Sequence, residues 1–194
     1  MLLNQYGLAA VSQRTIADYM KISPGNLTYH FKKRSDIIEA LYFELVEKID
    51  KCMNEIPLGE GLLKGLHTLT KKIMEFFYEY RFIMLDFIQI MRQFKTIQKH
   101  YKELSVQREN QFQFLFSALQ NDGLMRPEEI PNEYQHLIQR MIVFGNFWLA
   151  SSEIGQDKMS KKQIDKYLEI TTQAIFPYLT PKGKKLFIKN MISF

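Results

Sequence analysis

Apolar residues along the chain recur at spacings of three and four, and strict alternation of apolar and polar residues is absent. This period puts apolar side chains on one face of a helix, so the sequence predicts an all-α fold. Ser12 is a good N-cap for a helix of two turns. Ser23 and Pro24 start a second short helix that ends near Phe31, since proline suits the first helical position. A longer helix follows over about 36–53.

Pro57 and Gly59 end the long helix and predict a boundary near residue 55. We expect residues 1–55 to form a helix-turn-helix unit with its linking helix, and residues 56–194 to form a larger helical domain. The helices predicted in this second part are 60–80, 82–96, 98–122, 133–155, 161–179 and 181–192. The end signals there are Gly123 as a left-handed stop, capping boxes at Asn132 with Gln135 and at Ser160 with Gln163, and the pair Thr180–Pro181.

The distribution of charge matters more than its sum. The chain of 194 residues has a net charge of +5, but five basic residues stand against one acidic residue between positions 12 and 34. Such local basicity is typical of nucleic-acid binding, although a solvated surface has the same pattern. A single cysteine excludes an internal disulfide and favours a reducing, cytoplasmic setting. No signal peptide is expected, and no apolar run reaches the roughly 20 residues that a membrane span needs.

Two short helices joined by a tight turn, with a longer helix behind them, are the arrangement that places a recognition helix in the DNA major groove. Ala17 is small enough to let the two helices approach closely. The second helix would begin with free N–H groups at Pro24, Gly25 and Asn26, which can meet a phosphate.

In order and spacing, the segments 7–17, 22–31 and 33–38 resemble the DNA-binding domain of the TetR family of bacterial transcriptional regulators. The resemblance is specific over about residues 2–50, and the rest resembles the family in helical layout. It implies a homodimeric regulator of double-stranded DNA, of the repressor type, with a small ligand. Thr28 departs from the family, which usually has Tyr there. The first helix is reduced to about Leu2 to Tyr6, so we expect residues 1–10 to be mobile.

The resemblance also implies roles for individual residues. The candidates for contacts near the bases are Arg14, Pro24, Gly25 and Thr28, and those for phosphates are Ser12, Asn26, Tyr29, His30 and Arg34. Simpler roles stay open: the basic residues alone would suit a solvated face, and His30 could cap its helix without touching DNA.

The second domain contains the dense Met and Phe content of residues 73–119, which permits a pocket for an apolar or amphipathic ligand. The same residues would also suit a simple core, and we interpret His67 and Trp148 as packing residues. Phe82 to Phe94 is expected to be a central helix. Its stripe of Asp86, Gln89 and Gln93 is interpreted as a solvent or interhelix face rather than a cavity wall.

Helices 133–155 and 161–179 both have long apolar stripes. The resemblance implies that they pair with their copies in a partner subunit as a four-helix bundle, although an intramolecular core would need the same pattern. The expected interface residues are Ile138, Met141, Gly145, Trp148, Leu168 and Ile175.

Two other classes of protein compete with a regulator. An enzyme is disfavoured because the four histidines are scattered, Cys52 has no evident partners and no glycine-rich phosphate loop is present. For the same reasons we expect no metal and no cofactor. The second alternative is a helical adaptor protein that has lost DNA binding through its shortened first helix.

Overall fold

The computed structural model describes residues 1–56, 61–154 and 161–192, and these residues form α-helices and turns without a β-strand. The helices are α1 (Leu2–Ala10), α2 (Gln13–Met20), α3 (Pro24–His30), α4 (Arg34–Met53), α5 (Leu62–Glu79), α6 (Arg81–Leu85), α7 (Phe87–Gln93), α8 (Lys95–Asn121), α9 (Glu133–Ile154), α10 (Lys161–Gln173) and α11 (Pro181–Ile192). The all-α prediction is confirmed. None of the described helices is long and apolar enough to cross a membrane.

Two predicted helices of the second part have different limits. The expected central helix 82–96 is interrupted at Asp86, whose backbone leaves helical geometry with φ −96° and ψ 21°, so that α6 and α7 replace one element. α10 ends at Gln173 and is followed by a 3₁₀ turn over Phe176–Tyr178. Apolar periodicity continues through both breaks, which is why the sequence alone did not locate them.

The predicted helix ends have mixed outcomes. Gly123 has φ +66° and ends α8 as expected, and the hydroxyl of Thr180 accepts a hydrogen bond from the N–H of Gly183. The capping box at Asn132 is wrong, because Asn132 lies in the left-handed region and the N–H of Tyr134 donates instead to the carboxylate of Glu128. The predicted boundary signals at 57–59 and the Ser160 cap lie outside the described residues.

α1 is short but packed. Leu3 and Leu8 are almost fully buried, and Asn4 joins α1 to the second part of the chain. The side-chain amide of Asn4 donates to the carbonyl of Glu79 at 2.7 Å and accepts from the N–H of Phe82 at 3.1 Å. These contacts hold α1 against the second part of the chain, and the mobility of residues 1–10 stays a prediction that hydrogen exchange would test.

Two clusters of buried side chains form the core. One continues from α1 through α4 into α5, α6 and α10, and includes Leu8, Ile38, Phe82 and Leu168. The other lies around the far ends of α8 and α9 with Phe116 as a member. The helix-turn-helix unit therefore shares its core with the helices behind it.

Candidate nucleic-acid interface and the cavity behind it

The candidate nucleic-acid interface is built by α2, α3 and the turn between them. The Ser12 hydroxyl caps α2 by accepting from the N–H of Thr15, while the Thr15 hydroxyl accepts from the N–H of Ser12. Lys21 turns the chain with φ 56°, and the N–H of Ile22 donates to the carbonyl of Ala17 at 3.0 Å. These local hydrogen bonds fix the angle at which α3 leaves the turn.

α3 starts as the sequence predicted. The Ser23 hydroxyl accepts from the N–H of Asn26 at 3.1 Å, and Pro24 occupies the first turn. The Thr28 hydroxyl donates to the carbonyl of Pro24 at 2.8 Å, which leaves its methyl group and the acceptor lone pairs of its oxygen for a partner. The Gln13 amide donates to the carbonyl of Phe31 at 2.8 Å and ties α2 to the end of α3. Leu27 anchors α3 in the core.

Eight of the nine expected DNA-contacting residues lie exposed around this motif: Ser12, Arg14, Pro24, Gly25, Asn26, Thr28, Tyr29 and His30. Tyr29 is 83% exposed and its ring packs edge-on against that of His30 with centroids 5.2 Å apart. Exposed Lys21, Lys32 and Lys33 add positive charge nearby. An exposed aromatic ring near the end of α3, with exposed cations before and after this helix, suits a polyanion.

Arg34 is the exception among the nine. Its side chain is partly buried, and its guanidinium donates to the carbonyl of Leu8 in α1. Arg34 therefore joins α1 to α4. We expected it among the exposed residues that hold phosphates, and the structure does not place it with them. The sequence pattern did not reveal this pairing, because the two residues are 26 positions apart.

An apolar cavity of about 220 Å³ lies behind the interface, among α4, α5, α8 and α9. Its wall includes Leu45 of α4, Met74 of α5 and Leu104 of α8. Burial, and then the neighbouring charge of Lys71, lower the pKa of His67 in the same wall below its ordinary value, which favours the neutral imidazole. Among the described residues of the wall, Arg108 carries the permanent charge.

Few polar groups interrupt this wall. The Asn146 amide donates to the Tyr101 hydroxyl at 2.6 Å. The indole N–H of Trp148 has no hydrogen-bond acceptor among the described residues, although this side chain is only 2% exposed. Buried donors are normally paired, so an unpaired one at a cavity favours a ligand with an acceptor atom. Our interpretation of Trp148 as a packing residue alone is thus incomplete.

The stripe expected to form a dimer interface faces inward. Ile138, Trp148, Leu168 and Ile175 are buried in the protomer's own core. Met141, Gly145, Trp148 and Ile175 line the cavity. The expected interface residues are therefore corrected to residues of the protomer's own core and cavity wall. An apolar stripe indicates that a helix face is buried, but it does not indicate whether the same chain or a partner buries it.

Sequence reasoning missed three pairings between distant residues: Asn4 with the corner of α5 and α6, Asp50 with Arg108, and Asp86 with α1. Asp86 accepts from the N–H of Leu8 at 3.1 Å, which agrees with an interhelix role for its stripe. The sequence offered one signal, the position of Asp86 in an otherwise apolar segment. It did not indicate that Leu8 is the partner of Asp86.

An exposed, capped helix-turn-helix in front of a helical domain is the arrangement of a DNA-binding transcriptional regulator. A family model described as TetR, bacterial transcriptional repressor, matches residues 45–187. The chain belongs to this family. A search of curated proteins found no match.

Two solved structures share the fold of this chain. A TetR-family transcriptional regulator from Marinobacter aquaeolei VT8 has a TM-score of 0.79 and 21% identity, over 98% of this chain and 92% of that chain. The ketosteroid transcriptional regulator KstR2 of Mycobacterium tuberculosis has a TM-score of 0.57 and 16% identity, over 92% and 89%. At these identities the likeness concerns the fold.

Proposed function

We propose that the protein is a transcriptional repressor that binds a palindromic DNA site as a homodimer and releases it when a small ligand occupies the cavity. The observation that carries the proposal is the exposed face of α2 and α3, where Arg14 in the first turn of α2 and Tyr29 near the end of α3 are exposed to solvent. Structural roles alone would not require these two side chains there. The packing of α1 argues against the alternative of an adaptor that has lost DNA binding.

Selection of duplexes from a random-sequence pool by the purified protein tests DNA binding. We expect an inverted repeat, because a two-fold dimer reads two equal half-sites. Arg14→Ala and Tyr29→Ala should each weaken binding to the selected duplex by about 1–3 kcal/mol, measured by fluorescence anisotropy, without changing the free energy of unfolding.

Arg92→Ala is the matched control, since Arg92 is an exposed cation on α7, away from the helix-turn-helix. Equal losses in Arg14→Ala and Arg92→Ala would mean that only the overall charge is sensed. No enriched sequence, together with unchanged affinity in Arg14→Ala and Tyr29→Ala, would contradict the proposal.

The dimer would use the outer faces of α9 and α10. Val143, Phe147 and Ile154 form an exposed apolar stripe on α9, and Ile170 is exposed on α10. Their spacing of four and seven residues keeps the α9 residues on one side of the helix. Ile154 is 90% exposed in the protomer. A partner subunit would remove this apolar surface from water, and two copies of one patch form a closed, two-fold interface.

Phe147→Arg should turn dimers into monomers in sedimentation velocity, because a charge would then be buried without a partner at the interface. Val106→Arg is the control, since Val106 is also an exposed apolar residue but lies on α8. A dimer that persists in Phe147→Arg and dissociates in Val106→Arg would place the interface on α8 instead.

Response to a ligand is proposed because α4 both follows the helix-turn-helix and forms part of the cavity wall. A coupling of about 1–3 kcal/mol would change DNA affinity by about 5- to 150-fold, and DNA must weaken ligand binding by the same factor. Within this proposal the protein needs no catalytic residues, and its place of action is the cytoplasm, where bacterial DNA lies.

A further inference from the structure

The wall of the cavity is mostly apolar, with a few polar side chains. Tyr101, hydrogen-bonded to Asn146, and Arg108 both face it from α8. Seven residues separate them, or about 10 Å along a helix. A ligand that reaches from one position to the other must therefore be elongated, and it must be largely apolar to suit the rest of the wall.

Arg108 has hydrogen-bonding capacity to spare. Its guanidinium donates to Asp50 at 2.5 Å, to Gln111 at 2.8 Å and to the sulfur of Met53 at 3.3 Å. An arginine has five N–H donors, so two of them have no acceptor among the described residues. A thioether is moreover a weak acceptor, which an anion would replace readily.

The ion pair of Asp50 and Arg108 connects α4 to α8. Asp50 lies 16 residues beyond the first residue of α4, which is about 24 Å along the helix, and the helix-turn-helix lies at that other end. A small tilt of α4 at Asp50 therefore moves α3 relative to its counterpart in a dimer. The charge of Arg108 also acts inside the cavity: burial and then Tyr101 raise the pKa of Tyr42, and Arg108 opposes them.

We propose that the ligand is a small amphipathic carboxylate whose anionic group binds Arg108 in competition with Asp50, and that loss of the Asp50–Arg108 pair is what releases α4. This inference rests on the proposed ligand-responsive function and names the ligand class and the switch. The volume of about 220 Å³ suits a molecule somewhat larger than benzene, which fills an apolar cavity of about 150 Å³.

Binding can be measured without DNA, because Trp148 is the single tryptophan of the chain and lies in the cavity wall. Octanoate and the uncharged octanamide are the probes, titrated against Trp148 emission. We expect octanoate to bind more tightly by about 10- to 100-fold, the difference that a charge-assisted hydrogen bond makes. Arg108→Met should remove this preference, and Lys102→Gln, an exposed cation on the same helix, should keep it.

Asp50→Asn tests the competition and leaves Arg108 in place. We expect this variant to bind octanoate more tightly than the wild type and the selected DNA at least about 5-fold more weakly. Equal affinities for octanoate and octanamide, or no response of Trp148 to either, would overturn the assignment of the ligand class.

Unchanged octanoate and DNA affinities in Asp50→Asn would overturn the switch. These outcomes differ from a failure of the proposed function, which would be seen as the absence of specific DNA binding in the wild type. Should Arg108→Met unfold by circular dichroism, the comparison of the two probes and the Asp50→Asn variant still decide the question.

Discussion

The helix-turn-helix unit and the domain behind it present their functional residues in opposite directions. In the first region the candidate residues are exposed side chains, such as Arg14 and Tyr29, on a backbone held by its own caps. In the second region they are buried side chains, such as Trp148, which also belong to the core. A change of surface in the first region should alter function alone, whereas a change in the cavity wall alters packing and function together.

Leu27 should be an exception to this contrast between exposed and buried functional regions. It lies in the helix-turn-helix unit, but its side chain is only 4% exposed. Leu27→Ala should lower the free energy of unfolding by about 2–5 kcal/mol. The variant buries less apolar surface on folding, and it leaves a cavity in the core of the folded state. Urea denaturation measures this. Leu27→Met, which keeps the volume, should cost less than about 1.5 kcal/mol. Equal stability of the two variants would show that α3 is less firmly packed than its burial indicates.

The connection between the two regions is tested by Asn4→Ala. This change removes the hydrogen bonds to Glu79 and Phe82, so we expect a loss of stability of about 1–2 kcal/mol. If α1 also transmits the position of α6, the response of DNA affinity to octanoate should become smaller. Gln5→Ala, at an exposed neighbour, is the control. A ligand response that is the same in both variants would assign the coupling to α4 alone.

The smallest effect is expected far from both sites, at Glu133. Hydrogen bonds from Arg126 at 2.8 Å, and then one from the backbone N–H of Glu129, lower the pKa of Glu133 to about 2. Because the folded state has the lower pKa, this carboxylate stabilises it above the ordinary value of 4.5, and the contribution disappears as the pH falls towards 2. Thermal unfolding of Glu133→Gln should therefore differ from the wild type at pH 7 and converge with it near pH 2. A constant difference across this range would mean that packing, and not charge, is lost.

The helix-turn-helix was predicted in detail because its signals are local. Caps, a proline at the first helical position and a tight turn act over three or four residues, and the structure has them at Ser12, Ser23 and Pro24. The family resemblance was specific over residues 2–50, whereas the family model matches 45–187, the part whose sequence we could interpret only as helical layout. Comparison over the whole chain therefore added what local motifs did not contain.

The sequence by itself determined the all-α class, most helix limits and the residues that share each helix face, because these follow from a period of 3.6 residues and from local capping. Only the tertiary structure decided what covers each face. In the tertiary structure Ile138 and Trp148 face the protomer's own core. Asp50 contacts Arg108, which is 58 positions further along the chain. Such contacts depend on how whole helices pack together. The periodicity of one helix cannot predict them, because it does not show which helices are its neighbours.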